Sequence, residues 1–242
     1  MLILAVETST LAGSVALVET PPGGGGFRER ETILGETTLT TPETHSARLM
    51  PAIDRLLRET SHTIHQVQGI ALGLGPGSFT GLRIAVSTVK GLAYSLGVPV
   101  VGVPTLDVLA NNVPYASTQV CPVLDARKKE VYGALFRGNG EGQLAKLTEE
   151  WVLSPEDLCL RVAEKTLFLG NALDTYGELF REKLGSRALF APPELCAPRA
   201  AVVARLGAPG FKEGRTLDLF SFTPLYVRRS EAEMNFPAKD RE

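Results

Sequence analysis

Residues 2–6, Leu-Ile-Leu-Ala-Val, form an unbroken apolar run, as a strand covered on both faces requires. The polar stretch Glu7-Thr8-Ser9-Thr10 interrupts it, and residues 13–19 resume a strand pattern, so the Thr/Ser link reads as a tight hairpin turn. Pro21-Pro22 and the glycines at 23–26 then break the chain, as in a hairpin tip, and a third strand falls within 31–39. After His45-Ser46 the period changes to that of a helix. Leu49, Met50, Ile53, Leu56 and Leu57 share one face, and Arg48, Asp54, Arg55 and Arg58 share the other. Pro51 is tolerated only in an early turn, which predicts a start later than Ser46. Residues 69–74 read as a short strand, followed by a Gly-rich turn and a second helix over 81–96.

The second helix carries a broad apolar stripe of Leu82, Ala85, Val86, Val89, Leu92, Ala93 and Leu96. Ala85, Gly91 and Ala93 keep part of it small, so another helix can come close. Two readings stay open: a core stripe against the parent sheet, or a docking surface formed with Leu49, Ile53 and Leu56. Residues 98–103 close this half as a strand. Residues 120–124 and 131–136 then read as a hairpin joined through 125–130. Ser154-Pro155-Glu156-Asp157 opens a helix, with Ser as cap, Pro at the first position and acids in the first turn. A strand at 167–169 runs through Gly170-Asn171 into a helix ending near Leu184, and a last helix covers 199–206. From 231 the chain is charged and reads as a frayed tail. This order predicts a two-lobed α/β protein. Residues 1–104 form the first lobe and 105–242 a smaller second one, whose C-terminal part is free to pack back on the first. No internal repeat is clear in the sequence.

Composition narrows the options. The 242 residues are 44% hydrophobic and 21% charged, enough to bury a sizeable core. No apolar run reaches the roughly eighteen residues of a membrane span. The opening MLILAVETST lacks a basic region and a cleavage site, so it reads as a buried strand and not as a signal peptide. Three scattered cysteines, Cys121, Cys159 and Cys196, suit a reducing compartment and give no zinc or disulfide framework. Net charge is −2, so RNA would find no broad basic surface. The short clusters Arg127-Lys128-Lys129 and Arg228-Arg229 read as solvated edges before they read as RNA contacts.

Candidate chemistry centres on two turns. In Gly73-Leu-Gly75-Pro-Gly77-Ser78-Phe-Thr80-Gly81 the glycines would let backbone approach a phosphate, and the following helix start supplies N–H groups. The spacing matches neither a P-loop, a dinucleotide fingerprint nor a nucleophile elbow. An anion site and a merely tight turn both remain open. The turn at 8–13 could embrace the same phosphate, which makes Thr8, Ser9, Gly75, Gly77 and Ser78 the candidate nucleotide contacts. Glu7 either orients a metal-bound water or caps nearby backbone. His62 and His65 read as a solvated pair, no metal site is predicted, and no Ser or Cys has a local base, so no catalytic residue is predicted.

Taken together, Val6-Glu7-Thr8-Ser9-Thr10, His45-Ser46-x-x-Leu49-x-Pro51, the 73–83 turn, Gly102-Val103-Pro104-Thr105-Leu106, Asp125-Ala-Arg-Lys-Lys-Glu-Val-Tyr132, Gly170-Asn171 and Pro224-Leu-Tyr-Val-Arg228 resemble the TsaB (YeaZ) family over nearly the whole chain. The resemblance implies an actin-like, Hsp70-like fold of the ASKHA, ribonuclease H-like kind in a cytoplasmic protein. It also implies kinship to TsaD, which transfers threonylcarbamoyl to the tRNA adenosine next to the anticodon, in tRNAs reading codons that begin with A. TsaD-like proteins carry a metal motif Asn-His-x-x-Gly-His where this chain reads residues 104–109. Thr105 and Leu109 stand at the histidine positions, and neither replaces an imidazole ligand. The implied role is therefore a non-catalytic subunit supporting a TsaD-like catalytic subunit together with a TsaE-like ATPase. It would be a homodimer when alone, and would meet tRNA indirectly through the complex. In the family the two first-lobe helices pack on a partner's pair, which makes Leu49, Ile53, Leu56, Val86, Val89 and Ala93 the expected interface. No cofactor is expected of this chain, with ATP and Mg in the complex. The alternatives are a stand-alone ATPase or phosphotransferase of the actin-like superfamily, and a zinc peptidase for which the sequence supplies no ligands.

Overall fold

The structure, a computed structural model, describes residues 1–21, 31–41 and 43–227. The expected hairpin tip at 23–26, the tail from 231, and Arg228 and Arg229 lie outside the described residues. The first lobe comprises β1 (Leu2–Glu7), β2 (Ala12–Glu19), β3 (Thr32–Thr40), α1 (His45–Glu59), β4 (Gly69–Gly75), α2 (Phe79–Leu96) and β5 (Val100–Pro104). There follow α3 (Thr105–Ala110), β6 (Gln119–Arg127), β7 (Glu130–Gly133), β8 (Phe136–Gly138), β9 (Leu144–Lys146), β10 (Trp151–Leu153), α4 (Pro155–Arg161), β11 (Thr166–Leu169), α5 (Leu173–Leu184), β12 (Ala188–Phe190) and α6 (Ala200–Lys212).

The first sheet has the order β3-β2-β1-β4-β5, with β1, β2 and β3 antiparallel and β4 and β5 parallel to β1. The second runs β10-β7-β6-β11-β12 with the same sequence of antiparallel and parallel pairings, and β8 and β9 attach at its side. The two sheets are thus one design used twice, although no sequence repeat betrays it. β1 is central, and every residue of it is buried. Leu2, Leu4 and Val6 face a cluster beneath α1 and α2, while Ile3 and Ala5 face one beneath α6. The division at 104/105 separates the two sheets. The C-terminal part nevertheless returns: α6 packs on β1, β2, β4 and β5, and residues 217–225 hydrogen-bond back to Val100 and Leu74.

Several expectations need correction. α1 starts at His45 and contains Pro51. Ala47, whose carbonyl loses its helical donor there, is exposed to water, which removes most of the cost. Met50 points outward, 46% exposed. Arg48 turns inward because the Leu11 carbonyl of the β1–β2 turn and the Thr41 hydroxyl accept from it. The last helix continues through Pro209 to Lys212. The three-residue strands β9, β10 and β12, and the short α3, are too brief for periodicity to reveal.

Leu49, Ile53, Leu56, Val86, Val89 and Ala93 all lie in the cluster beneath the helix pair, facing the chain's own sheet. Their burial is intramolecular, and of the six only Leu49 also reaches an open groove on the outer side of the helix pair. Ile53→Ala should therefore lower global stability by about 2–5 kcal/mol, whereas Met50→Ala should stay within about 0.5 kcal/mol, both read from urea unfolding midpoints.

Candidate functional site

The β1–β2 turn and the start of α2 are bonded directly to one another. The Thr8 hydroxyl donates to the Gly81 carbonyl at 2.9 Å, and the Ser78 amide donates to the Ser9 carbonyl at 2.6 Å. Only glycine permits this approach: a Cβ at Gly77 would sit 2.2 Å from the Ser9 oxygen, and one at Gly81 would sit 2.1 Å from the Thr8 oxygen. Ser78 caps α2, its side-chain oxygen accepting from the Gly81 amide at 3.3 Å. Thr8, Ser9, Gly75, Gly77 and Ser78 do converge, as a joint. The amides of Ser9, Gly75, Ser78 and Gly81 are committed to Glu7, Thr105, Ser9 and Ser78. A phosphate seated on these amides would have to displace those acceptors.

Beneath the joint lies a sealed polar chain. Glu7 is fully buried over Gly73. Its carboxylate accepts from the Ser9 amide at 2.6 Å and from the Thr105 hydroxyl at 3.2 Å, and Thr105 accepts from the Gly75 amide at 3.1 Å. Burial pushes the Glu7 carboxyl above its ordinary range, against hydrogen bonds from Ser9, Thr105 and Thr8 that pull it down. Glu7 therefore caps backbone at the strand end. Thr105 is consumed by this network, and Leu109 is buried in the second lobe's core. Among the described residues no group of three His, Cys, Asp or Glu side chains is placed to hold a metal.

Residues that the sequence pattern passed over fix the same turn from the side of α1. His45 Nε2 donates to the Thr10 carbonyl at 2.8 Å, which leaves Nδ1 to accept from Arg48 at 3.0 Å. Arg48 also donates to the Leu11 carbonyl at 2.5 Å and to the Thr41 hydroxyl at 2.8 Å. Burial depresses the His45 pKa despite its bond to Thr10, and the neighbouring Arg48 charge depresses it further, so the ring sits neutral. The signal was present in the spacing His45-x-x-Arg48, which puts both side chains on one helix face. His62 and His65 do not enter the site.

The turn faces a cleft between the lobes. One chamber, about 510 Å³, lies between Ser9, Thr10, Phe79 and Arg83 on the first lobe and Asp125, Arg127, Lys128 and Asn171 on the second. A second chamber, about 640 Å³, shares Thr10, Leu11, Asp125, Arg127 and Asn171 and opens toward α5. Structurally equivalent turns, β1–β2 and β6–β7, thus confront each other across it. Phe79, Tyr226 and Arg83 stack at the rim: the rings are 5.3 Å apart, and the guanidinium is 3.9 Å from the Phe79 centroid. On the far side of Phe79 an open groove of about 440 Å³ runs between α1 and α2, floored by Leu49 and edged by Met50, Ile84, Ser87 and Thr88. One turn further along α2, Gly91 is exposed, and a Cβ there would meet nothing within 4 Å.

Two lobes built on sheets of one strand order, facing across a cleft, define an actin-like α/β protein of the ASKHA type. The family model described as "TsaD: tRNA N6-adenosine threonylcarbamoyltransferase" matches residues 33–236. The chain is 30% identical over 236 residues to the tRNA threonylcarbamoyladenosine biosynthesis protein TsaB of Bacillus subtilis, covering 96% of each chain. It is 29% identical to the protein of that name from Escherichia coli, covering 99% of this chain and 100% of that one. The solved structure of YeaZ from Pseudomonas aeruginosa superposes with a TM-score of 0.73 at 30% identity, over 93% of this chain and 99% of the other. The chain belongs to the TsaB (YeaZ) branch of the TsaD family.

The raised Glu7 carboxyl holds a proton in the folded state above the pH at which the unfolded group, near 4.5, has lost it. Its contribution to stability is full below that pH and is lost as pH rises through the folded value. The stability of Glu7→Gln minus that of the wild type should therefore climb from about pH 4.5 upward and then level off. Urea titrations at successive pH values measure the difference, and a pH-independent difference would count against the sealed carboxyl.

Proposed function

We propose that this chain is a non-catalytic subunit required for threonylcarbamoyl transfer to the adenosine next to the anticodon. It would act in the cytoplasm by binding and supporting a TsaD-like catalytic subunit, together with a TsaE-like ATPase. The observation that carries the reading is the fate of the two positions where the TsaD-like resemblance implies metal-binding histidines. Thr105 is buried and tied to Glu7 and Gly75, and Leu109 is packed in the core. Neither residue type is a metal ligand of the kind that motif supplies, and neither side chain reaches the cleft.

The outward face of the helix pair supports the partner half of the reading. It presents Met50, Ile84, Ser87, Thr88 and Gly91, a shallow surface of small and medium side chains over which another helix pair could pack closely. A partner seated on the first-lobe helices would meet these residues rather than the buried stripe beneath them. ATP and Mg would belong to the assembled complex, and a homodimer through the same face would be the resting form.

Reconstitution of threonylcarbamoyl transfer to tRNA, with and without this chain beside its catalytic paralogue, tests the role. Product that depends on the chain, with no nucleotide turnover by the chain alone, is the expected result. Product unaffected by its omission would overturn it, and Mg-dependent ATP turnover by the pure chain would favour a stand-alone ATPase instead. The docking face has its own test. Gly91→Arg puts a long cation on an open helix position and should stabilise α2 by up to about 1 kcal/mol through helix propensity. It should also abolish co-elution with the paralogue. Val89→Glu would report only on the core, since Val89 is buried.

A further inference from the structure

The turn between β6 and β7 is built from residues that its geometry disfavours. Arg127 pairs with Glu130, leaving Lys128-Lys129 as a two-residue loop, and Ala126 forms a bulge just before it. All three basic residues have left-handed backbone, with φ of 62° at Arg127, 52° at Lys128 and 62° at Lys129. A hairpin loop with positive φ at both central positions selects Asn-Gly or Gly-Gly, because an ordinary Cβ is strained there. Here the sequence keeps three long cations instead. A solvated edge accounts for their exposure but not for their persistence in a backbone that other residues adopt more easily.

Asp125 holds the turn in place. It accepts the Arg127 amide at 2.8 Å and pairs with the Arg127 guanidinium at 3.4 Å, and its own amide donates to Asn171 at 3.1 Å. The Arg127 side chain is still 86% exposed. Arg127 and Lys128 line the first chamber of the cleft, facing Arg83 and the hydroxyl-bearing residues Ser9, Thr10, Ser78 and Thr80 of the first lobe. Among the described lining residues Asp125 is the single carboxylate against three cations. The equivalent turn of the first lobe, Thr8 to Leu11, carries no charge at all.

We propose that the Arg127-Lys128-Lys129 turn is a phosphate-binding element that grips the sugar–phosphate backbone of RNA at the mouth of the interlobe cleft. The ligand oxygens would be met by Arg127 and Lys128 from one lobe and Arg83 from the other. RNA fits better than a compact ligand because the cations run outward over the rim: Lys129 lies beyond the cleft lining while Arg127 and Lys128 belong to it. Such a row suits an extended polyanion, whose binding draws on counterion release. The choice of RNA over a free phosphate compound rests on the tRNA-modification role proposed above.

The test uses a variant whose structural and binding effects have opposite signs. Lys128→Asn combined with Lys129→Gly gives the turn its preferred residues, so the thermal midpoint of the full chain should hold or rise. Its affinity for unmodified tRNA, measured by fluorescence anisotropy for the chain in complex with its catalytic paralogue, should fall roughly five- to tenfold. The slope of log affinity against log salt should shrink by about one to two units. Arg127→Glu should weaken tRNA further. Unchanged tRNA affinity and slope, in a complex that forms normally, would overturn the inference while leaving the subunit role standing. Failure of the wild-type chain to form the complex would overturn that role instead, and binding of tRNA by the chain alone would then decide the turn's part. If ATP or inorganic phosphate binding falls while tRNA binding does not, the element serves a small phosphate compound and the RNA assignment is wrong.

Discussion

The close backbone approach between the β1–β2 turn and the first residues of α2 is the constraint on which the rest hangs. Two backbone carbonyls, those of Thr8 and Ser9, press into space that a side chain at Gly81 or Gly77 would fill. The contact fixes the height of α2 over the sheet and, through the Ser78 cap, the residue at which the helix begins. With α2 placed, Phe79 and Arg83 fall at the rim between cleft and helix groove. From α1, His45 and Arg48 bind the same turn by its remaining carbonyls. One short loop is thus shared by both helices of the pair and by the cleft. A displacement of either helix start would be felt at the cleft wall.

The duplicated strand order shows what the two halves kept and what they changed. In both, an antiparallel hairpin precedes two parallel strands, and paired helices cover one face: α1 and α2 on the first sheet, α4 and α5 on the second. The hairpin turns have diverged in chemistry. The first is uncharged and spends its polar groups inside the lobe, whereas the second projects cations outward. Beyond the end of β5, the Thr105 hydroxyl and the Leu109 side chain both serve folding.

Much of this was legible in the sequence because local physics and global fold agree. The apolar run of β1, the Ser154 cap with Pro155 behind it, and the second helix with its stripe all came through, since each follows from one strong preference. What stayed hidden depends on tertiary partners. A stripe of Leu49, Ile53, Val86 and Val89 announces burial but not what buries it, and the same period serves a core or an interface. The outward groove mixes Met50 and Ile84 with Ser87 and Thr88, so no continuous apolar stripe marks it. Arg48 looked like a surface residue because its acceptors, the Thr41 hydroxyl and the Leu11 carbonyl, lie outside the helix. The last helix runs beyond 206 and through Pro209 where it packs on β5.

The return of the C-terminal part to the first lobe alters how the two halves can move. Within the described residues the second lobe is an insertion, leaving the first sheet after β5 and rejoining it at α6. Two covalent strands therefore tether it, not one. α3 straddles the boundary beside the first tether, with Val108 in one lobe's core and Leu106 and Leu109 in the other's. A body held at two points keeps a single easy rotation, about the line through them, and loses the freedom to drift apart or swivel. The geometry is that of a door on two hinges, with the Glu7–Thr105 chain beside the first of them.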